Sequence, residues 1–123
     1  MNELQQLQSI FEGFHLNTNL LTWGVFGGII LDLITGLAKG YKADREISSS
    51  KLRDGGFKKA GILLVMLLAY GLSALFNDVN KVIFNTVQAY YVYTELISIV
   101  ENLIALDITL PQIIRGIVGR NSK

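Results

Sequence analysis

The sequence predicts an all-α integral membrane protein with three transmembrane helices and a short N-terminal amphipathic helix, and three observations carry that prediction. Half of the 123 residues are hydrophobic and only 17% are charged, against roughly 25% charged in soluble domains. Three apolar stretches of spanning length follow one another, separated by polar segments. The middle stretch, residues 60–77, contains no charge, so it lacks the water-facing stripe that every helix of a small soluble bundle needs. A chain of this length makes one domain; a mean hydropathy of +0.40 agrees with a membrane setting.

Residues 1–18 place Leu4, Leu7, Phe11 and Phe14 at three-four spacing, with Ile10 alongside and Gln5, Gln6, Gln8 and Glu12 elsewhere. That is an amphipathic helix too short to span. With Glu3 and Glu12 and no Lys or Arg, the segment lacks the basic start of a cleavable signal, and is expected to remain in the mature chain.

Residues 19–38 hold one charge, Asp32, in twenty positions. At ~1.5 Å per residue they reach ~30 Å, the thickness of the hydrocarbon core. Trp23 near one end and Tyr41 beyond the other suit the aromatic belts of the two interfaces. The segment 39–59 is polar, with Lys39, Lys42, Arg45, Lys51, Arg53, Lys58 and Lys59 against Asp44, Glu46 and Asp54. Its Ser48-Ser49-Ser50 run and Gly55-Gly56 pair read as breakers, predicting a loop with one helical turn at most.

The second span, 60–77, runs through Ile62, Leu63, Leu64, Val65, Met66, Leu67 and Leu68. Asn77, Asp78 and Asn80 then mark a tight turn, which sets the third span, 82–106, antiparallel beside the second. That third span is amphipathic. At 100° per residue Gln88, Glu95 and Asn102 share one side, and Tyr91, Thr94, Ser98 and Glu101 extend the arc. Pro111 closes the region, and the tail within 107–123 adds Arg115, Arg120 and Lys123. Basic residues favour the cytoplasmic side, so the loop 39–59 and the tail are expected inside, the 77–81 turn outside, and the topology N-out, C-in.

Several function classes lose their parts at this stage. No cysteine is present, so thiolate chemistry and disulfides are excluded, and His15 is a lone histidine, too few for a triad or a histidine metal site. No G-x-x-x-x-G-K-[ST] or G-x-G-x-x-G string occurs. A net charge of +1 gives no case for nucleic acid. No catalytic, cofactor-binding or metal site is therefore expected, and the chain is not expected to be an enzyme.

The informative residues are polar ones in apolar helices, because a carboxylate at the centre of a span costs ~2.5–3.5 kcal/mol on insertion scales. Asp32 shares a face with Gly28, Thr35, Gly36 and Lys39, and the spacings Gly24 to Gly28 and Gly36 to Gly40 allow another helix to approach closely. This stripe of Gly24, Gly28, Asp32, Thr35, Gly36 and Gly40 is the candidate surface for packing and oligomerisation. The plainer reading pairs Asp32 with Lys39, two turns on, or with a neighbouring helix. Gln88, Thr94, Glu95, Ser98, Glu101 and Asn102 form the candidate lumen-facing or interhelical face; in the plainer reading their helix lies partly at the interface with its acids in water. Before any opening, the face around Asp32 and that around Gln88, Glu95 and Asn102 are expected to be buried against one another.

Three strings carry a resemblance: D-L-I-T-G-L-A-K-G at Asp32–Gly40, S-S-S-K-L-R-D-G-G-F-K-K at Ser48–Lys59, and Y-T-E-L-I-S-I-V-E-N at Tyr93–Asn102. In this order, over residues 20–115, the chain resembles the phage lysis and toxin-secretion holin family. There an Asp-x-x-Thr-Gly-x-x-Lys string closes the first helix, a serine and Gly-x-x-Lys loop follows, and a Glu-x-x-Ser-Ile-x-Glu-Asn string lies in the last helix. Thr94 and Leu96 stand where members often have Asn and Gly, and the acid they often carry late in the second span is absent before Asp78. The resemblance implies a multi-pass protein of the bacterial host cytoplasmic membrane. Its copies would form a homo-oligomer in the bilayer, collapse the membrane potential and release an endolysin, a functional partner not expected to bind directly. The alternatives are an antiholin or small membrane regulator or scaffold, and a small ion channel subunit.

Overall fold

Asn17 starts the first long helix of the computed structural model, which describes residues 2–6 and 17–118. Its side-chain oxygen accepts from the N–H groups of Asn19 and Leu20 at 2.8 and 3.2 Å, supplying two of the acceptors a helix start lacks. From there α1 runs over Thr18–Asp44 and ends where Arg45 adopts a left-handed conformation and donates its N–H to the Tyr41 carbonyl. Ser48 caps α2, Ser49–Leu75, by accepting from the Lys51 N–H at 3.2 Å. The third helix, α3, covers Val82–Ala105, and the short α4 covers Gln112–Val118 after Pro111. Residues 3–6 are also helical, and no strand occurs among the described residues. Most of the predicted N-terminal amphipathic helix, with His15, and the end of the tail, with Arg120 and Lys123, lie outside the described residues.

One part of the sequence reading is corrected. The polar segment 39–59 is not a loop, because α1 continues through Lys39 and Lys42 to Asp44 and α2 begins at Ser49, leaving residues 45–48 as the connection. The serine run is a start signal rather than a breaker, since Ser48 is the cap and Ser49 and Ser50 form the first turn. Gly55 and Gly56 stay helical because each costs only about 1 kcal/mol relative to alanine. Both α1 and α2 have 27 residues, or ~40 Å, longer than the ~30 Å hydrocarbon core of a bilayer.

Both ends of α3 are shaped by hydrogen bonds. At the α2–α3 turn the Asn77 and Asp78 N–H groups bond back to Ala74 and Ser73 carbonyls, with Asn77 left-handed at φ 53°, a Schellman closure of α2. The same pattern closes α3, where Asp107 at φ 62° and Ile108 donate to Ile104 and Leu103. The opening N–H groups of α3 are served by side chains: Ile83 donates to Asp78 Oδ2 at 2.8 Å and Phe84 to Ser73 Oγ at 3.1 Å.

α1 and α3 run parallel, with α2 antiparallel to both. Contacts from Thr22 with Gln88, through Asp32 with Ser98, to Lys42 with Asp107 keep the α1–α3 seam in one register. α3 is the helix against which both others pack, whereas α1 and α2 barely touch. Val25 and Ile29 of α1, Met66 and Ala69 of α2 and Phe84 of α3 make the apolar core, with Tyr70 set edge-on to Phe84 at 5.3 Å. Most other large apolar side chains face outward, among them Leu64, Leu67 and Leu68 of α2 and Ile30, Leu31 and Ile34 of α1. Two helices, α1 and α2, are long and apolar enough to cross a membrane. The 24-residue α3 is long enough, and it carries Asn85, Gln88, Glu95, Glu101 and Asn102 among its apolar residues.

Candidate functional site

Three inward stripes meet at the site. On α1, Leu21, Val25, Gly28, Asp32 and Thr35 recur at three-four spacing; on α3, Asn85, Gln88, Val92, Glu95, Ile99 and Asn102 do the same; on α2 the set is Lys59, Ile62, Met66, Ala69 and Ser73. Each is one face of a helix. Glycines bring α1 and α3 together. A Cβ on Gly28 would stand 2.9 Å from Glu95 Cβ, and one on Gly24 3.1 Å from a Val92 methyl, so the seam admits no side chain at either position without moving.

Where the stripes converge, Lys59 Nζ lies 2.6 Å from Asp32 Oδ2 and 2.8 and 2.7 Å from the two oxygens of Glu95. Asp32 uses its other oxygen to accept from Ser98 Oγ at 2.6 Å and Asn102 Nδ2 at 3.0 Å, and Asn102 also reaches Thr35 Oγ1 at 3.0 Å. The side chains of Glu95, Asp32 and Lys59 are 2%, 13% and 16% exposed. This is a buried triad of two carboxylates and one ammonium, in which all four carboxylate oxygens have a donor. Such a cluster resists disruption from one side, because removing one partner of a buried ion pair costs about 3–5 kcal/mol. Two turns away a neutral layer repeats the pattern: Thr22 Oγ1 donates to Gln88 Oε1 at 2.6 Å, and Gln88 is fully buried.

The structure separates the candidates. It brings together Gly24, Gly28, Asp32, Thr35 and Gly36 of α1 with Gln88, Glu95, Ser98 and Asn102 of α3. Glu101 and Thr94 lie outside the group: both are exposed, and Thr94 donates only to the Tyr90 carbonyl of its own helix. Gly40 has open space around it. Lys39 does not pair with Asp32; the cation on Asp32 is Lys59, from α2. Of the basic residues assigned to a loop, Lys42 binds Asp107 and the Ala105 carbonyl, pinning the end of α1 to the end of α3. Lys51 pairs with Asp44 at 3.5 Å, and Arg45, Arg53 and Lys58 are exposed.

Thr22 and Ser73 are site residues that sequence reasoning missed, and Lys59 was assigned to the basic loop rather than to this site. The signal for Lys59 and Ser73 was present: with Met66 they stand seven residues apart, the spacing of one inward face. Among the described residues no cluster of acids, histidines or cysteines could hold a metal ion.

A parallel helix pair joined through glycines and a carboxylate ladder, with a lysine returning from an antiparallel apolar helix, involves all three quoted strings at once. Residues 9–120 match the family described as the bacteriophage holin family. The chain belongs to that family. As a holin-family protein it has relatives in Clostridium and Listeria. Over 108 residues it is 36% identical to an uncharacterized protein of Clostridium perfringens strain 13, with 78% of each chain covered. It is 39% identical over 94 residues to an uncharacterized 14.9 kDa protein in the nagH 3′ region of C. perfringens, covering 76% of this chain and 68% of that one. With an uncharacterized protein of Listeria monocytogenes it shares 31% over 91 residues, 73% of this chain and 63% of the other. No solved structure matches. Family and apolar helices together mark a membrane protein.

Proposed function

We propose that this holin-family chain accumulates in the host cytoplasmic membrane, associates with copies of itself and opens lesions that end the membrane potential and release an endolysin. The observation that carries the reading is the Asp32–Lys59–Glu95 triad, polar groups sealed between helices whose outer surfaces are apolar. Sealed, those groups are compatible with a bilayer. Uncovered, the face of Gln88, Glu95, Ser98 and Asn102 would have to meet water, as a lesion wall does.

In this reading all three long helices span, N-out and C-in. The basic residues support it: Lys42, Arg45, Lys51, Arg53 and Lys58 lie near the helix ends that share a side with the α3 C-terminus, where the positive-inside tendency places the cytoplasm. Trp23 and Tyr41, 75% and 50% exposed, stand near opposite ends of α1, about 27 Å apart along a straight helix. Opening proceeds by departure of α2, which carries the triad's only cation. Neighbouring copies then join through the faces it leaves. No covalent step is involved, and the endolysin passes without binding. The membrane potential can bias the change, since moving one charge through it is worth ~2.3 kcal/mol per 100 mV.

The test is inducible expression with a potential-sensitive dye and a cytoplasmic cell-wall hydrolase. Abrupt loss of potential together with hydrolase release at a reproducible time supports the holin. Steady potential and normal growth assign an antiholin or regulator, and ion leakage without protein release assigns a small channel.

A further inference from the structure

The triad does not account for the cleft beside it. Between the C-terminal half of α1 and the N-terminal half of α2 lies an open cleft of about 570 Å³, whose floor includes Asp32, Lys59, Ser98 and Asn102. Lys39, Lys51 and Lys58 stand along it and are exposed, whereas the floor groups are occupied with one another. Lys39 and Lys58 make no ion pair among the described residues, and the Lys51 contact with Asp44 is a long one at 3.5 Å with both partners solvated. Lys59 is offset by Asp32 and Glu95, so the cationic character of the cleft comes from the exposed Lys39, Lys51 and Lys58 at its edge. The rest of the lining is apolar, Leu33, Leu37 and Leu52, and Gly36 and Gly55 keep the cleft open by having no side chain. A Cβ on Gly55 would only touch Leu33 at 3.8 Å, so the space is free rather than packed.

We propose that this cleft binds one anionic phospholipid, its phosphate held at the mouth by Lys39, Lys51 and Lys58 and an acyl chain lying along Leu33, Leu37 and Leu52. Charge complementarity selects the headgroup, because each lysine near a membrane surface attracts anionic lipid and zwitterionic lipid far less. The leucines select a lipid over free phosphate, since a soluble anion gains nothing from an apolar wall. A lipid wedged here lies in the gap where α1 and α2 barely touch, and holds α2 beside the triad. The proposal requires the membrane location and not the lytic activity.

The full chain, reconstituted in nanodiscs of equal phosphatidylglycerol and phosphatidylcholine, is released into the gas phase and its retained lipids counted by native mass spectrometry. One phosphatidylglycerol per chain, enriched roughly tenfold over phosphatidylcholine, is expected. The triple variant Lys39→Gln, Lys51→Gln, Lys58→Gln should lose the enrichment. A control of equal charge at exposed residues away from the cleft and the seam, Arg45→Gln, Arg53→Gln, Arg115→Gln, should keep it. Gly55→Leu fills the cleft without touching charge and should also abolish retention, with circular dichroism checking that the helices remain. Equal loss in the control triple, retention by Gly55→Leu with its helices intact, or displacement of the lipid by millimolar inorganic phosphate would overturn the proposal. Failure of the lysis test with lipid retention intact would strike the proposed function alone.

Discussion

The two helix interfaces of this protein are built differently. The α1–α3 seam is long and continuous: glycines bring the backbones close, Thr22 and Gln88 bond at one end, the Asp32 cluster in the middle, and Lys42 with Asp107 at the other. The α2–α3 interface is apolar at one end, through Met66, Ala69 and the Tyr70–Phe84 pair, with Ser73 and Asp78 tying the turn. At its other end α2 is held by Lys59, with only an exposed Lys51–Asp44 pair at 3.5 Å beyond it. In the proposed opening, this contrast makes α2 the element that separates. In a bilayer no hydrophobic gain resists its departure, because lipid solvates leucine as well as protein does, and the large apolar side chains that α2 already turns outward are mostly leucines.

The largest effect should come from Lys59→Met, which leaves Asp32 and Glu95 facing each other without a cation. About 3–5 kcal/mol is lost from the bundle, read as a lower thermal midpoint in detergent and as lysis well ahead of wild type. Adding Asp32→Asn and Glu95→Gln to that variant should restore most of the loss, as removal of an unrelated contact would not. Next comes Gly28→Val, which attacks the other interface: the new Cβ meets Glu95 Cβ, an atom fixed to the backbone, so α1 and α3 must part at a cost of about 1–3 kcal/mol. If α1 and α3 stay together on opening, this variant should lower the thermal midpoint and impair lysis rather than hasten it. Ser73→Ala removes the acceptor of the Phe84 N–H and should cost about 1 kcal/mol, seen as faster amide exchange at the start of α3. Glu101→Gln should change stability and timing least, within about 0.5 kcal/mol, because Glu101 is exposed and makes no hydrogen bond or ion pair among the described residues.

Much of this was legible beforehand, and the reasons differ by residue. Gln88, Glu95 and Asn102 recur every seven residues, and Asp32 sits among small residues; both patterns survive in three dimensions because helical periodicity is local. Glu101 and Thr94 were grouped with them by angle alone, although the buried arc is narrower than the polar one. Lys59 was hidden by composition. Counted among six other basic residues beside two glycines, it read as loop charge, whereas α2 starts ten positions earlier at Ser49 and turns it inward. Of the two readings of α3, an inward or lumen-facing polar face and a helix lying partly at the interface, the burial of Gln88 and Glu95 favours the first, because α1 and α2 both cover that face. A hydropathy profile weighs each residue alone and does not register that a carboxylate has found a lysine 36 positions away.

The departure of α2 is measured most directly by electron paramagnetic distances in native-like membranes, exploiting a sequence without cysteine. Labels at exposed positions Leu64 and Tyr90 report α2 against α3, and labels at Trp23 and Tyr93 report α1 against α3. Labelled chains are diluted with unlabelled wild type, and the potential is collapsed with an ionophore. Separation of the 64–90 pair by several ångströms while the 23–93 pair holds its distance is the expected result. Loss of potential and release of hydrolase with the 64–90 distance unchanged would contradict it.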